Sequence, residues 1–152
     1  MQNSDSLDPS STPARSGAGS GSDRIGVVIL AAGKGTRMRA GLSKLVHPVA
    51  GRPMVRQVVE LGRQLQPSAM ALVVGHDADD VAAAAGPGID VVLQAEQLGT
   101  GHAVLQAREV MRGRSDLVAV VFGDAALLRV ETLRAMVDAA EHATVVLQTY
   151  LR

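Results

Sequence analysis

The 152-residue chain has no cysteine, no tryptophan, one tyrosine and one phenylalanine. The missing cysteines exclude disulfides and Cys-ligated zinc. Two aromatic side chains cannot build a base-stacking platform of the kind single-strand binders use. Fifteen Lys and Arg balance fifteen Asp and Glu, so the net charge is zero with neutral His. A nucleic-acid binder would carry a basic excess, and none is present. No apolar run approaches the roughly 18 residues of a membrane span. Expected partners are therefore neither nucleic acid nor membrane. A chain without cysteine is compatible with a reducing compartment, and a cytoplasmic location is expected.

Large apolar residues are scarce from Met1 to Ser22, where seven residues are Ser, three Gly and two Pro. Such a segment cannot bury enough surface to offset its ordering entropy. It reads as a disordered Ser/Gly-rich tail. It has no continuous apolar core, as a secretory signal would, and Asp5 and Asp8 disfavour a transit peptide. Residues 23–152 are left to fold.

Within them, short β-branched apolar runs alternate with helical patterns. Strands are expected at Ile25–Leu30, Ala69–Val74, Val91–Leu93, Leu117–Phe122 and Thr144–Leu151. Between them, helices are expected from Pro53 to Gln66, from Asp77 to Ala85, from Thr100 to about Arg112 with Thr100 as cap, and from Glu131 to His142. This order predicts an α/β fold: a mostly parallel sheet with helices on both faces. Ligands bind beyond the carboxyl ends of strands in such sheets. The rule selects three loops, Ala31–Lys44, Gln94–Thr100 and Gly123–Leu128.

The first loop carries Gly33-Lys34-Gly35-Thr36-Arg37-Met38. The dinucleotide fingerprint needs a third Gly where Met38 stands, and Walker A needs Lys where Thr36 follows Gly35. A third reading survives. Ala31, Ala32 and Gly33 let a nucleotide lie against the backbone, successive N–H groups cradle phosphate oxygens, and Arg37 and Lys44 supply charge. The competing reading of Arg37 and Lys44 is a pair of solvated surface cations.

Five segments occur in order: LAAGKGTRM (Leu30–Met38), SKLVHPVAGRPM (Ser43–Met54), VVGHDADDV (Val73–Val81), LQAEQLGTGHAVLQA (Leu93–Ala107) and GDAALLRVETL (Gly123–Leu133). Together they resemble the N-terminal part of the uridylyltransferase domain of bacterial bifunctional N-acetylglucosamine-1-phosphate uridylyltransferases. That domain belongs to the sugar-nucleotidyltransferase superfamily, with its Rossmann-like, MobA-like NTP transferase fold. The resemblance covers about Arg24 to Arg152, and its most specific segment is LQAEQLGTGHAVLQA.

The resemblance implies a reaction: UTP and a sugar 1-phosphate give the UDP-sugar and pyrophosphate, with Mg²⁺ as cofactor. The acceptor phosphate attacks the α-phosphorus, so no protein nucleophile is required, and catalysis is positioning and charge neutralisation. By the same resemblance Arg37 and Lys44 are the catalytic cations and Lys44 also contacts the nucleotide. Leu30, Ala31, Ala32 and Gly33 approach the nucleoside. Gln94 reads uracil, Gly99 and Thr100 make further base contacts, and Asp124 binds Mg²⁺. Asp77, Asp79 and Asp80 read as a charge cluster at a helix N-terminus, not a metal site. His47 and His102 read as loop hydrogen-bonders.

Two departures flank these residues. Ser43 and Ala126 stand where the family commonly has Pro, and each loses a φ constraint that would stiffen the site. The resemblance also implies that most amino-sugar contacts and a second metal ligand lie in a part of the domain beyond these motifs, and that the acetyltransferase domain is a separate unit. Turnover by this chain alone is therefore not expected. An open C-terminal strand edge would invite self-association. A non-catalytic nucleotide-binding module, or a nucleotidyltransferase for another base or acceptor, are the alternatives; QLGTGHA argues against the latter.

Overall fold

A computed structural model describes residues 24–33 and 43–148. The Ser/Gly-rich tail and Arg37 lie outside the described residues.

The elements follow in the order β1 (Ile25–Ala31), a 3₁₀ turn (Lys44–Val46), β2 (Pro48–Val49), β3 (Arg52–Pro53), α1 (Met54–Arg63), β4 (Ala69–Val74), α2 (Ala78–Ala85), β5 (Asp90–Leu93), α3 (Thr100–Gln106), α4 (Arg108–Met111), β6 (Leu117–Phe122), α5 (Val130–Ala139) and a 3₁₀ turn (Ala140–His142). Four strands form one parallel sheet in the order β5-β4-β1-β6, and β2 pairs with β3 in a small antiparallel hairpin. The α/β architecture expected from the alternation of apolar runs is the one found.

Period-two alternation divides the central strands between two cores. Val27, Ile29 and Ala31 of β1 join Met70, Leu72 and Val74 of β4 in one buried cluster. Val55, Val58 and Val59 of α1, Val81 and Ala85 of α2, and Leu133 of α5 complete it. Val28 and Leu30 join Ala69, Ala71 and Val73 in the other, covered by Ala103 of α3, Ala107 at the junction of α3 and α4, and Met111 of α4. Both faces are dry, which is why β1 and β4 read as continuous apolar runs instead of alternating ones. Each fully buried Val or Leu is worth about 1.5–3 kcal/mol. At the outer strand β6 the second face is thinner: Val118, Val120 and Phe122 are exposed.

Three expectations change. The helix expected from Thr100 to Arg112 is two short helices. Ala107 between them takes φ −80°, ψ 0°, and its N–H reaches Val104 O at 3.1 Å, a tightened turn that keeps Ala103, Ala107 and Met111 all in the core. Thr100 is not the cap. Gly99, at φ 101°, takes that position without a side-chain hydrogen bond, a backbone conformation glycine adopts without steric cost. Finally, residues 144–148 form no strand, and Val145 and Leu147 are exposed. An apolar run needs a neighbour for its N–H and C=O groups to become a strand, and none meets it among the described residues; positions 149–152 lie outside them. Among the described residues the sheet edge on that side is β6.

Candidate functional site

The parallel sheet delivers four strand ends to one edge, and the candidate residues sit in the segments that leave it. Ala31 ends β1, and Ala32 and Gly33 follow it. Gln94 directly follows β5, with Gly99 and Thr100 at the start of α3. Asp124 follows β6 by two residues. Lys44 opens the 3₁₀ turn, whose next residue, Leu45, is buried in the first core cluster and anchors it.

The structure brings Lys44 and Asp124 together. Lys44 Nζ lies 3.0 Å from Asp124 Oδ2, and both side chains are close to half exposed. Gly123 N donates to Leu30 O at 2.8 Å, tying the Asp124 turn to the end of β1. Ser43 takes φ −55°, inside the range a proline imposes. The serine thus holds the conformation that a proline would impose.

Gln94 is the buried polar side chain of the described residues, 4% exposed. Its backbone N–H donates to Val74 O at 2.8 Å, fixing it beside the end of β4. Its Nε2 faces Gly99 O at 3.3 Å and His102 Nδ1 at 3.0 Å. The segment Gln94–Gly99 is thus closed on itself by the side chain that opens it.

A cavity of about 200 Å³ opens at this edge, lined by Ala31, Ala32, Gly33, Gly75, His76, Asp77 and Gln97. Four of these were not among the sequence candidates. The C-terminal-end rule applies to β4 as well as to β1, β5 and β6, and Gly75-His76-Asp77 is the loop it selects there. Gln97 reaches across to Ala32 O, at 2.5 Å. Gly75 makes this approach possible: a Cβ there would stand 2.8 Å from Ala32 O and 3.2 Å from Gln97 Nε2. Gln94, Thr100, Lys44 and Asp124 do not line the cavity; it covers the β1 side of the edge.

Asp77 precedes α2, and Asp79 and Asp80 lie in its first turn, as the charge-cluster reading requires. No group of three or more His, Cys, Asp or Glu is placed to hold a metal among the described residues. Asp124 is then the candidate ligand from a single carboxylate. That suits Mg²⁺, which binds through one or two carboxylates and completes its shell with water and phosphate. No described helix is long and apolar enough to cross a membrane.

The sequence matches the MobA-like NTP transferase domain over residues 27–151. The chain belongs to the MobA-like NTP transferase family. Within it, this domain is 51% identical over 117 residues to the bifunctional protein GlmU of Burkholderia multivorans, a match covering 76% of this chain and 26% of that protein. The chain spans about a quarter of the length of the curated relatives it matches. The transferase domain also resembles solved structures. Rv0371c from Mycobacterium tuberculosis superposes with a TM-score of 0.67 at 25% identity, covering 79% of this chain and 62% of that one. A nucleotidyl transferase from Methanothermobacter thermautotroptrophicus superposes at 0.68 with 24% identity, covering 76% and 57%. The latter is a likeness of fold alone. The resemblance carried by the sequence motifs is thus found at about half identity in the GlmU proteins.

Proposed function

We propose that this domain binds UTP at the carboxyl edge of its sheet and forms the nucleotide side of a uridylyltransferase acting on N-acetylglucosamine 1-phosphate. The observation that carries the reading is the Lys44–Asp124 pair at 3.0 Å, one cation and one carboxylate side by side at the edge where nucleotide loops converge. Lys44, with Arg37, would neutralise charge on the triphosphate as the sugar phosphate attacks the α-phosphorus. Ala31, Ala32 and Gly33 give the nucleoside a wall without bulky side chains. Gln94 has an amide that offers both donor and acceptor, as does the edge of uracil, and its burial holds it in place. Asp124 would hold Mg²⁺ together with phosphate oxygens; the ion's chemistry is to offset charge on those oxygens.

This is half of a reaction site in the reading proposed: sugar recognition belongs to sequence that the longer GlmU proteins contain and these motifs do not. Calorimetry with Mg²⁺–UTP tests it. Saturable binding to the chain is expected, weakened about tenfold or more by Arg37→Ala and by Asp124→Ala. Absence of saturation in the unmodified chain would refute a nucleotide site here. Incubation with UTP, N-acetylglucosamine 1-phosphate and Mg²⁺ is expected to give no UDP-N-acetylglucosamine; robust turnover would refute the half-site reading while leaving nucleotide binding intact.

A further inference from the structure

We propose that Gln97 is a positioning residue: it grips the Ala32 carbonyl and so turns the Gly33 N–H outward as a donor for an oxygen of the bound nucleotide. The proposal rests on the reading of this edge as a nucleotide site, and names what holds the β1 wall of that site in shape.

The contact has one possible sense. Ala32 O is a backbone carbonyl and only accepts, so the Gln97 atom 2.5 Å from it is the amide nitrogen Nε2. The acceptor has no tautomer that could reverse the bond. Ala32 is buried, and a buried carbonyl needs a donor. Gln97, 65 residues away and half-buried, supplies it. A Cβ on Gly75 would stand 2.8 Å from Ala32 O and 3.2 Å from Gln97 Nε2. Donor and acceptor therefore both lie against the backbone that leaves β4, and the bond joins the loop after β5 to the end of β1. All three residues line the same cavity.

The consequence follows from the peptide plane. The Ala32 C=O and the Gly33 N–H belong to one trans peptide unit, whose two polar groups point in opposite directions. With the carbonyl held against Gly75 and Gln97, the Gly33 N–H points away from both. Gly33 is exposed, a Cβ added there would meet nothing within 4 Å, and its N–H donates to none of the described residues. An open backbone donor at this edge suits an oxygen-rich ligand.

The brace is needed because of the glycine. Gly33 can take φ of either sign, so the peptide before it can turn over. The reversed peptide would present a carbonyl where the N–H had been, and a carbonyl repels a phosphate or base oxygen. Gln97 opposes that reversal.

The test uses the 152-residue chain. In calorimetry at pH 7, Gln97→Ala should bind Mg²⁺–UTP about tenfold more weakly, the loss of about one hydrogen bond. Nitrogen-15 NMR of the unmodified protein should show the Gly33 amide moving as Mg²⁺–UTP is added, and requires no variant to fold. Carbon-13 NMR without ligand reads the brace itself: the Ala32 carbonyl resonance should move upfield in Gln97→Ala. In Gln97→Glu it should lie upfield at pH 8, where a carboxylate cannot donate, and return as the carboxyl protonates towards pH 4. Differences from the unmodified chain at each pH cancel the titration of His76 and Asp77, which line the same cavity. A side chain that merely fills space would give no such return, and its absence overturns the proposal. Equal UTP affinity in Gln97→Ala, or a Gly33 amide that stays in place while UTP saturates, overturns it and leaves the nucleotide site standing. No saturation of the unmodified chain removes the nucleotide reading, and the role of Gln97 with it.

Discussion

Lys44 Nζ and Asp124 Oδ2, 80 residues apart in the chain, meet at 3.0 Å where β6 ends. Neither is buried, and an exposed pair of this kind is worth at most about 1 kcal/mol. The bond is therefore strong enough to orient the two groups and weak enough for phosphate or a metal ion to replace one partner.

Lys44→Met removes the cation that competes for the carboxylate. Affinity of the chain for Mn²⁺ alone should rise, by up to about fivefold, while affinity for Mg²⁺–UTP should fall. Electron paramagnetic titration of Mn²⁺ gives the first value and calorimetry the second. A fall in both would mean that Lys44 supports the metal site instead of guarding it.

Gly75→Ala places a methyl group 2.8 Å from Ala32 O and 3.2 Å from Ala32 Cα. Both neighbours are backbone and cannot rotate away, so the end of β1 must shift. Overpacking of this kind costs about 1–3 kcal/mol, read as a lower denaturation midpoint, and UTP binding should weaken in parallel. Unchanged midpoint and affinity would show that the three loops are not packed as described.

Ser43→Pro is expected to stabilise. The residue already has φ −55°, so proline fits the folded chain and restricts the unfolded one, a gain of about 0.4–1 kcal/mol. Urea denaturation measures it. A loss of stability would mean that the Ser43 N–H is needed as a donor.

The Glu60 carboxyl is held below its ordinary value of 4.5, first by its hydrogen bond from Arg56; partial desolvation opposes this, and the nearby charges of Arg52 and Arg56 add to the lowering. Its folded pKa is depressed, so its contribution is present above 4.5 and is lost as the pH falls through the lower folded value. Glu60→Gln should therefore lower the melting temperature slightly at pH 7, by no more than the roughly 0.5 kcal/mol of an i,i+4 pair, and not at all at pH 2. An equal difference at both pH values would assign the effect to packing.

Strand legibility followed continuous apolar runs bounded by polar turns. Ala69–Val74 and Leu117–Phe122 coincide with their expected limits, and Ile25–Leu30 extends by one residue. The first and last of these lie at the centre of the sheet, β4 and β1 being covered on both faces, while β6 keeps a continuous apolar run although Val118, Val120 and Phe122 are exposed. Thr144–Leu151 has the same composition, yet residues 144–148 stay irregular, because composition marks a segment as fit for a sheet without providing a neighbour. The helix after Thr100 was legible in its buried positions but not in its break, since Ala107 keeps its place in the core through a tightened turn that no periodicity records.

Among candidate residues, the strand-end rule and the family resemblance pointed to Ala31, Ala32, Gly33, Lys44, Gln94 and Asp124, each at or close to the end of a strand or in a loop that leaves one. The rule left out the loop of Gly75, and it selected the loop of Gln97 without singling out that residue. Gly75 is ordinary in sequence and matters only because Ala32 O stands within van der Waals reach of it. His102 was legible as a hydrogen-bonder, but its two partners, Gln94 and Gln106, were not.

The sequence by itself determined the family, the parallel α/β plan and the segments that carry polar groups to the sheet's carboxyl edge, because burial and turn chemistry are local and leave a pattern. Only the tertiary structure decided which of those groups meet. The pairing of Lys44 with Asp124, the contact of Gln97 with Ala32 and the contact of Gln94 with His102 all depend on distances between separate segments, set by how β1, β4, β5 and β6 lie side by side.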